Sequence, residues 1–188
     1  MSTAIAMRRY DGESVRADAA LQKQLAEVYA DAFSGPPYHG TLEQAQTWAT
    51  ERLVLQFGYP AFHLVTAERD GRLIGFSYGV LGAEDQWFTQ MLRARLPALV
   101  AQTWLGAHGE LVELAVRSEA HGHGLGGALH DAVVAHLRDV DARTALLVAD
   151  AGAVPARALY ASRGWQDIAV LASGKMLMGI RLAAVPQR

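Results

Sequence analysis

The chain of 188 residues contains no cysteine. This absence excludes disulfide bonds, a cysteine nucleophile and cysteine-ligated zinc, and it is typical of proteins of a reducing compartment. The segment MSTAIAMRRY lacks the apolar core of a secretion signal, and no stretch approaches the roughly 20 apolar residues of a membrane span. We therefore expect a cytoplasmic protein that has no membrane segment.

The sequence also lacks a strong charge of either sign. Its 17 Lys and Arg residues and 19 Asp and Glu residues give a net charge of -2, and the basic residues are scattered along the chain. Nucleic-acid binding requires a clustered basic surface, so nucleic acid is not an expected partner. Hydrophobic residues form 51% of the chain, enough for a full core. We predict one domain over residues 1–188, with a helical insertion at about 82–109.

Strand and helix patterns alternate in a way that predicts an α/β fold with a mixed sheet. Two helical patterns lie near the amino terminus, and Thr41 with Gln44 three residues later predicts a capping box at the start of the second. The strand patterns 62–68 and 73–81 are joined at Asp70-Gly71, a strong hairpin signal. Further strands are predicted at 4–9, 111–116, 145–149, 165–171 and 176–182. Because strands outnumber the crossover helices, we expect a mostly antiparallel sheet of about seven strands flanked by helices.

The segment 110–137 has the clearest succession of patterns. Strict alternation over 111–116 places Leu111, Glu113 and Ala115 on one strand face and the other three residues on the opposite face. A helix then follows, with an apolar stripe at four-residue spacing. The stripe consists of Leu125, Leu129, Val133 and Leu137.

Between this strand and this helix lies the glycine-rich segment HGHGLGG, residues 121–127. It has few side chains that would keep a ligand away from its backbone. Backbone N–H groups and the positive end of the helix dipole can therefore face an anion. The pattern predicts a phosphate-binding loop.

Two motifs carry a resemblance to the GNAT N-acyltransferase superfamily. The loop resembles the acyl-CoA signature Arg/Gln-x-x-Gly-x-Gly/Ala, and ARALYASRGW at 156–165 is similar to the second motif of that family. The order of the predicted elements also matches the family's fold. The resemblance implies acetyl-CoA as co-substrate, with no metal. It assigns cofactor contacts to Leu114, Ala115, Val116, His121, Gly122, His123, Gly124, Leu125, Gly126 and Gly127.

The sequence departs from the family pattern at two positions. His121 stands where the family usually has Arg or Gln, and Ala153 stands near the usual position of an asparagine that holds the pantetheine arm. The first change leaves a side-chain contact to the pyrophosphate weaker or dependent on histidine protonation.

Acyl transfer from a thioester to an amine needs a base for the amine, a donor to the carbonyl oxygen and an acid for the leaving thiolate. Tyr160 carries a phenolic proton and occupies the position of the family's usual general acid, although a core tyrosine would show the same pattern. Glu113 is the candidate base, because burial on an apolar strand raises a carboxyl pKa. A structural pairing of Glu113 with an arginine is the alternative. Glu110 is expected at the exposed end of the strand.

The acceptor is the least defined part of the prediction. Tyr38, Trp87 and Trp104 are candidates to line an aromatic acceptor pocket, although each is also a common packing residue. We expect a small-molecule amine, while a protein amine and a homodimer stay open.

Parts of the sequence also match three alternatives to acyl transfer. Gly122-x-Gly124-x-x-Gly127 matches the dinucleotide fingerprint, with Asp150 as a ribose-binding acid, but five residues separate the strand from the first glycine. A metal site at His121-x-His123 lacks further ligands at suitable spacing. A non-catalytic acyl-CoA sensor is the alternative of a different class, and it requires that the candidate acid and base be dispensable.

Overall fold

A computed structural model describes residues 4–182, except for the side chain of Ser173. The chain forms a seven-stranded sheet with the order β1-β2-β3-β4-β5-β7-β6. Its strands are β1 (Ala6–Tyr10), β2 (His63–Arg69), β3 (Arg72–Leu81), β4 (His108–Val116), β5 (Thr144–Asp150), β6 (Gln166–Leu171) and β7 (Lys175–Arg181). β4 and β5 are parallel, and the other neighbours are antiparallel. The predicted mixed, mostly antiparallel sheet is confirmed.

The helices are α1 (Gly12–Ala17), α2 (Ala19–Ala32), α3 (Leu42–Thr47), α4 (Val54–Gln56), α5 (Trp87–Arg95), α6 (Ala98–Trp104), α7 (Leu125–Asp139) and α8 (Val154–Ala161). A π-helical segment, Trp48–Leu53, joins α3 to α4. The capping box predicted by Thr41 and Gln44 begins α3, with each side chain accepting a hydrogen bond from the other residue's backbone N–H. None of the helices in the described chain has the length and apolar content that a membrane crossing requires.

The two faces of the sheet have separate cores. On one face, the stripe of α7 is buried as predicted, with Leu129, Val133 and Leu137 fully inaccessible to solvent. Burial of each of these side chains stabilises the fold by about 2 kcal/mol. The amino-terminal helices cover the other face around Trp48 and Phe76, and α5 and α6 pack on that face farther along, over β5 and β7. The two helices predicted in the segment 82–109 are thus present, while the limits of the domain stay a prediction.

A β-bulge in β4 changes the predicted strand faces. Tyr78 pairs with Glu113 and Gly79 pairs with Leu111, so Val112 is an extra residue that has no partner in β3. Leu111 consequently packs toward α7, whereas Glu113 stays on the face of Tyr78. The prediction of strict alternation over 111–116 is wrong at the bulge, because one inserted residue reverses the faces of all positions before it.

The sheet opens between its two parallel strands. β4 pairs with β5 at His108–Thr144, Gly109–Ala145 and Glu110–Leu146. Beyond these pairs the strands separate, and the edge of β4 from 111 to 116 faces a cavity instead of a neighbouring strand. This split places backbone groups of β4 where a ligand can reach them.

Candidate active site

A cavity of about 1480 Å³ occupies the split between β4 and β5. Its walls come from the edge of β4, the glycine-rich loop, α8 and the amino-terminal helices. Pockets for one drug-sized ligand have volumes of about 300–1,000 Å³. The cavity is therefore large enough for two reactants to meet inside it.

The glycine-rich loop forms one end of the cavity. Gly122 and Gly124 have φ angles of 79° and 77°, a left-handed conformation that side chains disfavour. Gly124 is the N-cap of α7, and no described side chain caps that helix. The first N–H groups of α7 and its positive dipole end are thus available to an anion. His121 and Gly122 line the cavity, and so do the residues from Gly124 to Gly127.

The two histidines of the loop support its conformation. His121 Nε2–H donates to the backbone oxygen of Val116 at 2.8 Å, and His123 Nδ1–H donates to the backbone oxygen of His121 at 2.8 Å. Each of these nitrogens must carry hydrogen, because a carbonyl oxygen can only accept. His123 does not line the cavity, so its predicted contact with the cofactor does not agree with its position.

The free edge of β4 presents backbone donors to the cavity. The N–H of Arg117 donates to the oxygen of Ile74 in β3 at 2.9 Å. Because successive N–H groups point to opposite edges of a strand, those of Val116 and Leu114 point into the split. Leu114 and Val116 line the cavity, whereas the side chain of Ala115 is buried on the face of the amino-terminal helices. Such an edge can form hydrogen bonds with an extended ligand that contains amides, in the way that it would pair with an additional strand.

Glu113 lies in the wall of this cavity, on the face that it shares with Tyr78. Burial raises the pKa of its carboxyl to about 7, and this shift is opposed by the charge of Arg52, the N–H of Leu114 and the charge of Lys175. A carboxyl with this pKa can accept a proton near neutral pH.

The charge of Glu113 also acts on the aromatic side chains around it. Besides their own burial, which is the larger cause, Glu113 raises the pKa of Tyr29, Tyr38, Tyr78 and Tyr160. These tyrosines come from four different parts of the chain. Glu113 is therefore close enough to all four phenols to raise their pKa values, which its position in the sequence did not indicate.

Tyr160 is both a core residue and a residue of the cavity wall. Its ring is 8% exposed and packs in the core of the α7 face, with ring centroids 6.1 Å from those of His130 and Trp165. The same side chain lines the cavity. Burial, with a contribution from Glu113, raises the pKa of Tyr160, so its hydroxyl stays protonated at neutral pH. A protonated phenol in this position can donate to a developing anion.

A hydrogen-bonded chain that sequence reasoning missed joins α7 to the end of α8. Trp165 Nε1–H donates to His130 Nε2 at 2.8 Å, and His130 Nδ1–H donates to Asp131 at 2.7 Å. Arg163 Nε donates to the same oxygen of Asp131 at 2.7 Å. Burial lowers the pKa of His130, although Asp131 opposes the shift, so the imidazole is neutral with hydrogen on Nδ1. This chain holds the segment that carries Tyr160.

The predicted acceptor residues have different positions. Tyr38 and Trp87 line the cavity, and Trp87 is 70% exposed at its mouth. Trp104 does not line it, and its role in an acceptor pocket stays a prediction. α6 directs its indole toward β7, where it packs over Gly179 and under the guanidinium of Arg181, 5.4 Å from the ring centroid. Glu110 is also not where it was expected, since it is 5% exposed and lies in the cavity wall.

The chain has a mixed sheet opened between two parallel strands, with a glycine-rich loop at a helix amino terminus beside the opening, as the resemblance to the acyltransferases implied. The sequence profile of the Acetyltransferase (GNAT) family matches residues 23–165. The chain belongs to this family, and the predicted resemblance is confirmed.

Relatives and solved structures agree with this assignment. A mycothiol acetyltransferase from Parafrankia sp. (strain EAN1pec) is 31% identical over 142 residues, which are 74% of this chain. The match spans 41% of that protein, so the chain covers about two fifths of its curated relative.

Among solved structures, a GNAT-family acetyltransferase from Desulfovibrio desulfuricans has a TM-score of 0.65 at 21% identity, covering 96% of this chain and 100% of the other. PaiA N-acetyltransferase from Thermoplasma acidophilum, solved with coenzyme A, has a TM-score of 0.62 at 13% identity, covering 95% and 99%. A GNAT acetyltransferase from Brucella melitensis, solved with acetyl-CoA, has a TM-score of 0.60 at 18% identity, covering 98% and 93%.

Proposed function

We propose that this chain transfers an acetyl group from acetyl-CoA to the primary amine of a small-molecule acceptor. The observation that carries the proposal is the meeting of Glu113, Tyr160 and the glycine-rich loop in the walls of one cavity. Family membership supports acyl transfer, and the similarity to a protein named mycothiol acetyltransferase supports acetyl as the transferred group.

The residues present fit acetyl-CoA. The uncapped amino terminus of α7 and the loop backbone would hold the pyrophosphate, because open space lies beside Gly122 and Gly124. The edge of β4 would pair with the amide-bearing arm. Ala153 is buried and offers no polar side chain to that arm, so this copy of the site relies on backbone contacts at that point.

Each reacting group then has a protein partner. Glu113 takes a proton from the ammonium form of the acceptor, directly or through a water molecule. The amine nitrogen attacks the thioester carbon, and the N–H of Val116 or Leu114 stabilises the charge on the carbonyl oxygen. As the C–S bond breaks, Tyr160 gives its phenolic proton to the leaving thiolate, and the second proton of the amine nitrogen passes, directly or through water, to the Tyr160 phenolate. The products are the acetylated amine and free CoA.

A small acceptor is supported by the shape of the cavity, whose acceptor side is walled by aromatic side chains. Tyr29, Tyr38, Tyr59 and Phe88 belong to this wall. Flat, apolar rings suit a compact amine better than a long polar peptide.

The test is thiol release from acetyl-CoA by the purified protein in the presence of a panel of primary amines, including a peptide with a free amino terminus. We expect release with at least one small amine and formation of its acetylated product, identified by mass. Binding of CoA without release by any amine would contradict the proposal and favour the sensor function.

A further inference from the structure

The strand that carries Glu113 holds a second buried carboxyl, which the proposed reaction does not use. Glu110 is 5% exposed and lies in the wall of the same cavity. Its Oε1 atom is inaccessible to solvent and has no hydrogen-bond partner among the described residues. A buried carboxylate oxygen without a donor is costly, and an atom of this kind requires an explanation.

The neighbouring histidine does not supply the missing donor. His108 Nε2 lies 3.4 Å from Glu110 Oε1, but this contact lacks hydrogen-bond geometry. The other ring nitrogen, Nδ1, accepts from the N–H of Gly106 at 3.3 Å and therefore carries no hydrogen. Nε2 also lies 3.3 Å from the hydroxyl of Thr89. Neither contact of Nε2 gives Glu110 Oε1 a hydrogen bond.

The surroundings of Glu110 carry a further unpartnered acceptor and further negative charge. Gln86 Oε1 is a second buried oxygen without a partner within residues 4–182, and its amide nitrogen is used by the oxygen of Leu81. Tyr59 lines the cavity, and its pKa is raised. Burial is the largest cause of this shift, and the charges of Glu110 and Asp85 raise the pKa further. The charges of these carboxylates therefore give this end of the cavity a negative potential.

The bulge in β4 places Glu110 on the same face of the sheet as Glu113. Glu110 pairs with Val80 and Glu113 pairs with Tyr78, and these partners are two residues apart in β3. Both carboxyls consequently face the same side of the sheet, with their backbone positions about 7 Å apart along the strand. One small molecule can reach both of them.

We propose that Glu110 binds a second cationic nitrogen of the acceptor while the first nitrogen reacts beside Glu113. The chemical class of the acceptor is then a compact diamine, or an amino compound with a second basic nitrogen. An ammonium in the cavity beside Glu110 supplies donors to this carboxylate, and its charge offsets that of the buried group. This inference rests on the proposed function, because it names the substrate class of that reaction.

The experiment compares straight-chain diamines, from diaminopropane to diaminohexane, with the monoamines of the same length as acceptors of acetyl-CoA. We expect kcat/KM to be at least about tenfold higher for the best diamine than for its monoamine, with an optimum inside the series. In Glu110→Gln, which keeps the shape of the side chain, the ratio of kcat/KM for the diamine to kcat/KM for the monoamine should fall to about one. Glu84→Gln is the matched control, because Glu84 is an exposed carboxyl that pairs with Arg93 nearby.

The outcomes separate this inference from the proposed function. Acetylation of monoamines and diamines at equal rates, or a preference that persists in Glu110→Gln, would overturn the role of Glu110 and leave acetyl transfer intact. If no amine releases thiol, the proposed function fails. Thermal unfolding with added diaminobutane or diaminopentane then tests whether Glu110 binds a diamine. A diamine-dependent rise in Tm that Glu110→Gln abolishes supports recognition, and equal Tm values contradict it.

Discussion

Glu110 and Glu113 lie three positions apart on one strand, yet both face the same side of the sheet. In a regular strand such residues would face opposite sides, because the side-chain period is two. The bulge at Val112 absorbs one residue and brings both carboxyls to the cavity wall. The site thus has one carboxyl beside Tyr160 and a second one farther along the same wall.

Removal of the phenolic hydroxyl of Tyr160 tests its role as the general acid. We expect Tyr160→Phe to lower kcat by about 10²- to 10⁴-fold, because the thiolate loses its proton donor. The affinity for acetyl-CoA, measured by calorimetry, should stay within about twofold. Tyr10→Phe is the control, since Tyr10 lies in β1 away from the cavity. Equal turnover in Tyr160→Phe and the parent would remove Tyr160 from the mechanism.

The candidate base predicts a specific pH dependence of the rate. The pKa of Glu113 is raised to about 7, so kcat/KM of the parent should fall as the pH decreases below 7. Glu113→Gln should be slower by about 10²-fold or more and should lack this acidic limb. The measurement is a pH–rate profile, with the exposed Glu13→Gln as the control. An acidic limb that is unchanged in Glu113→Gln would show that another group takes the proton.

The same pKa has a consequence for stability. The folded state binds a proton at Glu113 more tightly than the unfolded chain does, because burial raises the pKa from 4.5 to about 7. This contribution to stability is complete below pH 4.5 and is lost as the pH rises through 7. From about pH 5 to about pH 8, the free energy of unfolding of Glu113→Gln should increase relative to that of the parent by on the order of 2 kcal/mol. Urea unfolding at both pH values measures this change, and parallel behaviour of the two proteins would contradict it.

Alanine substitutions at two glycines with the same backbone conformation distinguish the cost of backbone strain from a loss of ligand binding. Gly124 and Gly71 have φ angles of 77° and 74°, and open space surrounds the position of a Cβ atom at both. Alanine at either site should cost about 1–2 kcal/mol of stability. Only Gly124→Ala should also weaken acetyl-CoA binding, because Gly71 lies in the β2–β3 turn. Equal loss of acetyl-CoA affinity in both variants would contradict a role for the loop in binding.

The buried chain from Trp165 to His130 predicts a non-additive loss of stability. Trp165→Phe leaves His130 Nε2 buried without a donor and should cost about 1–3 kcal/mol beyond the lost packing. In the double variant Trp165→Phe/His130→Phe both hydrogen-bonding groups are gone. Its destabilisation, measured by urea unfolding, should be smaller than the sum of the single effects. An additive result would show that the hydrogen bond does not couple the two side chains.

Most elements of the fold follow from local patterns. The Asp70-Gly71 turn, the capping box at Thr41 and the stripe of α7 are signals that span a few residues, and the structure has each of them where the sequence predicts it. Trp104 is different, because an indole side chain suits an aromatic pocket as well as it suits a hydrophobic core. Its actual place depends on how α6 sits on β5 and β7, which neighbouring residues do not encode.

The sequence by itself determined the mixed sheet, the glycine-rich loop before α7, and the presence of a carboxyl and a phenol at the positions of the family motifs. These properties depend on residue periodicity and on the backbone freedom of glycine, which act over short distances. The tertiary structure alone decided the split between β4 and β5, the bulge at Val112 and the burial of Glu110. Each of these depends on the register between strands that are distant in sequence, and a shift of one residue changes which side chains face the cavity.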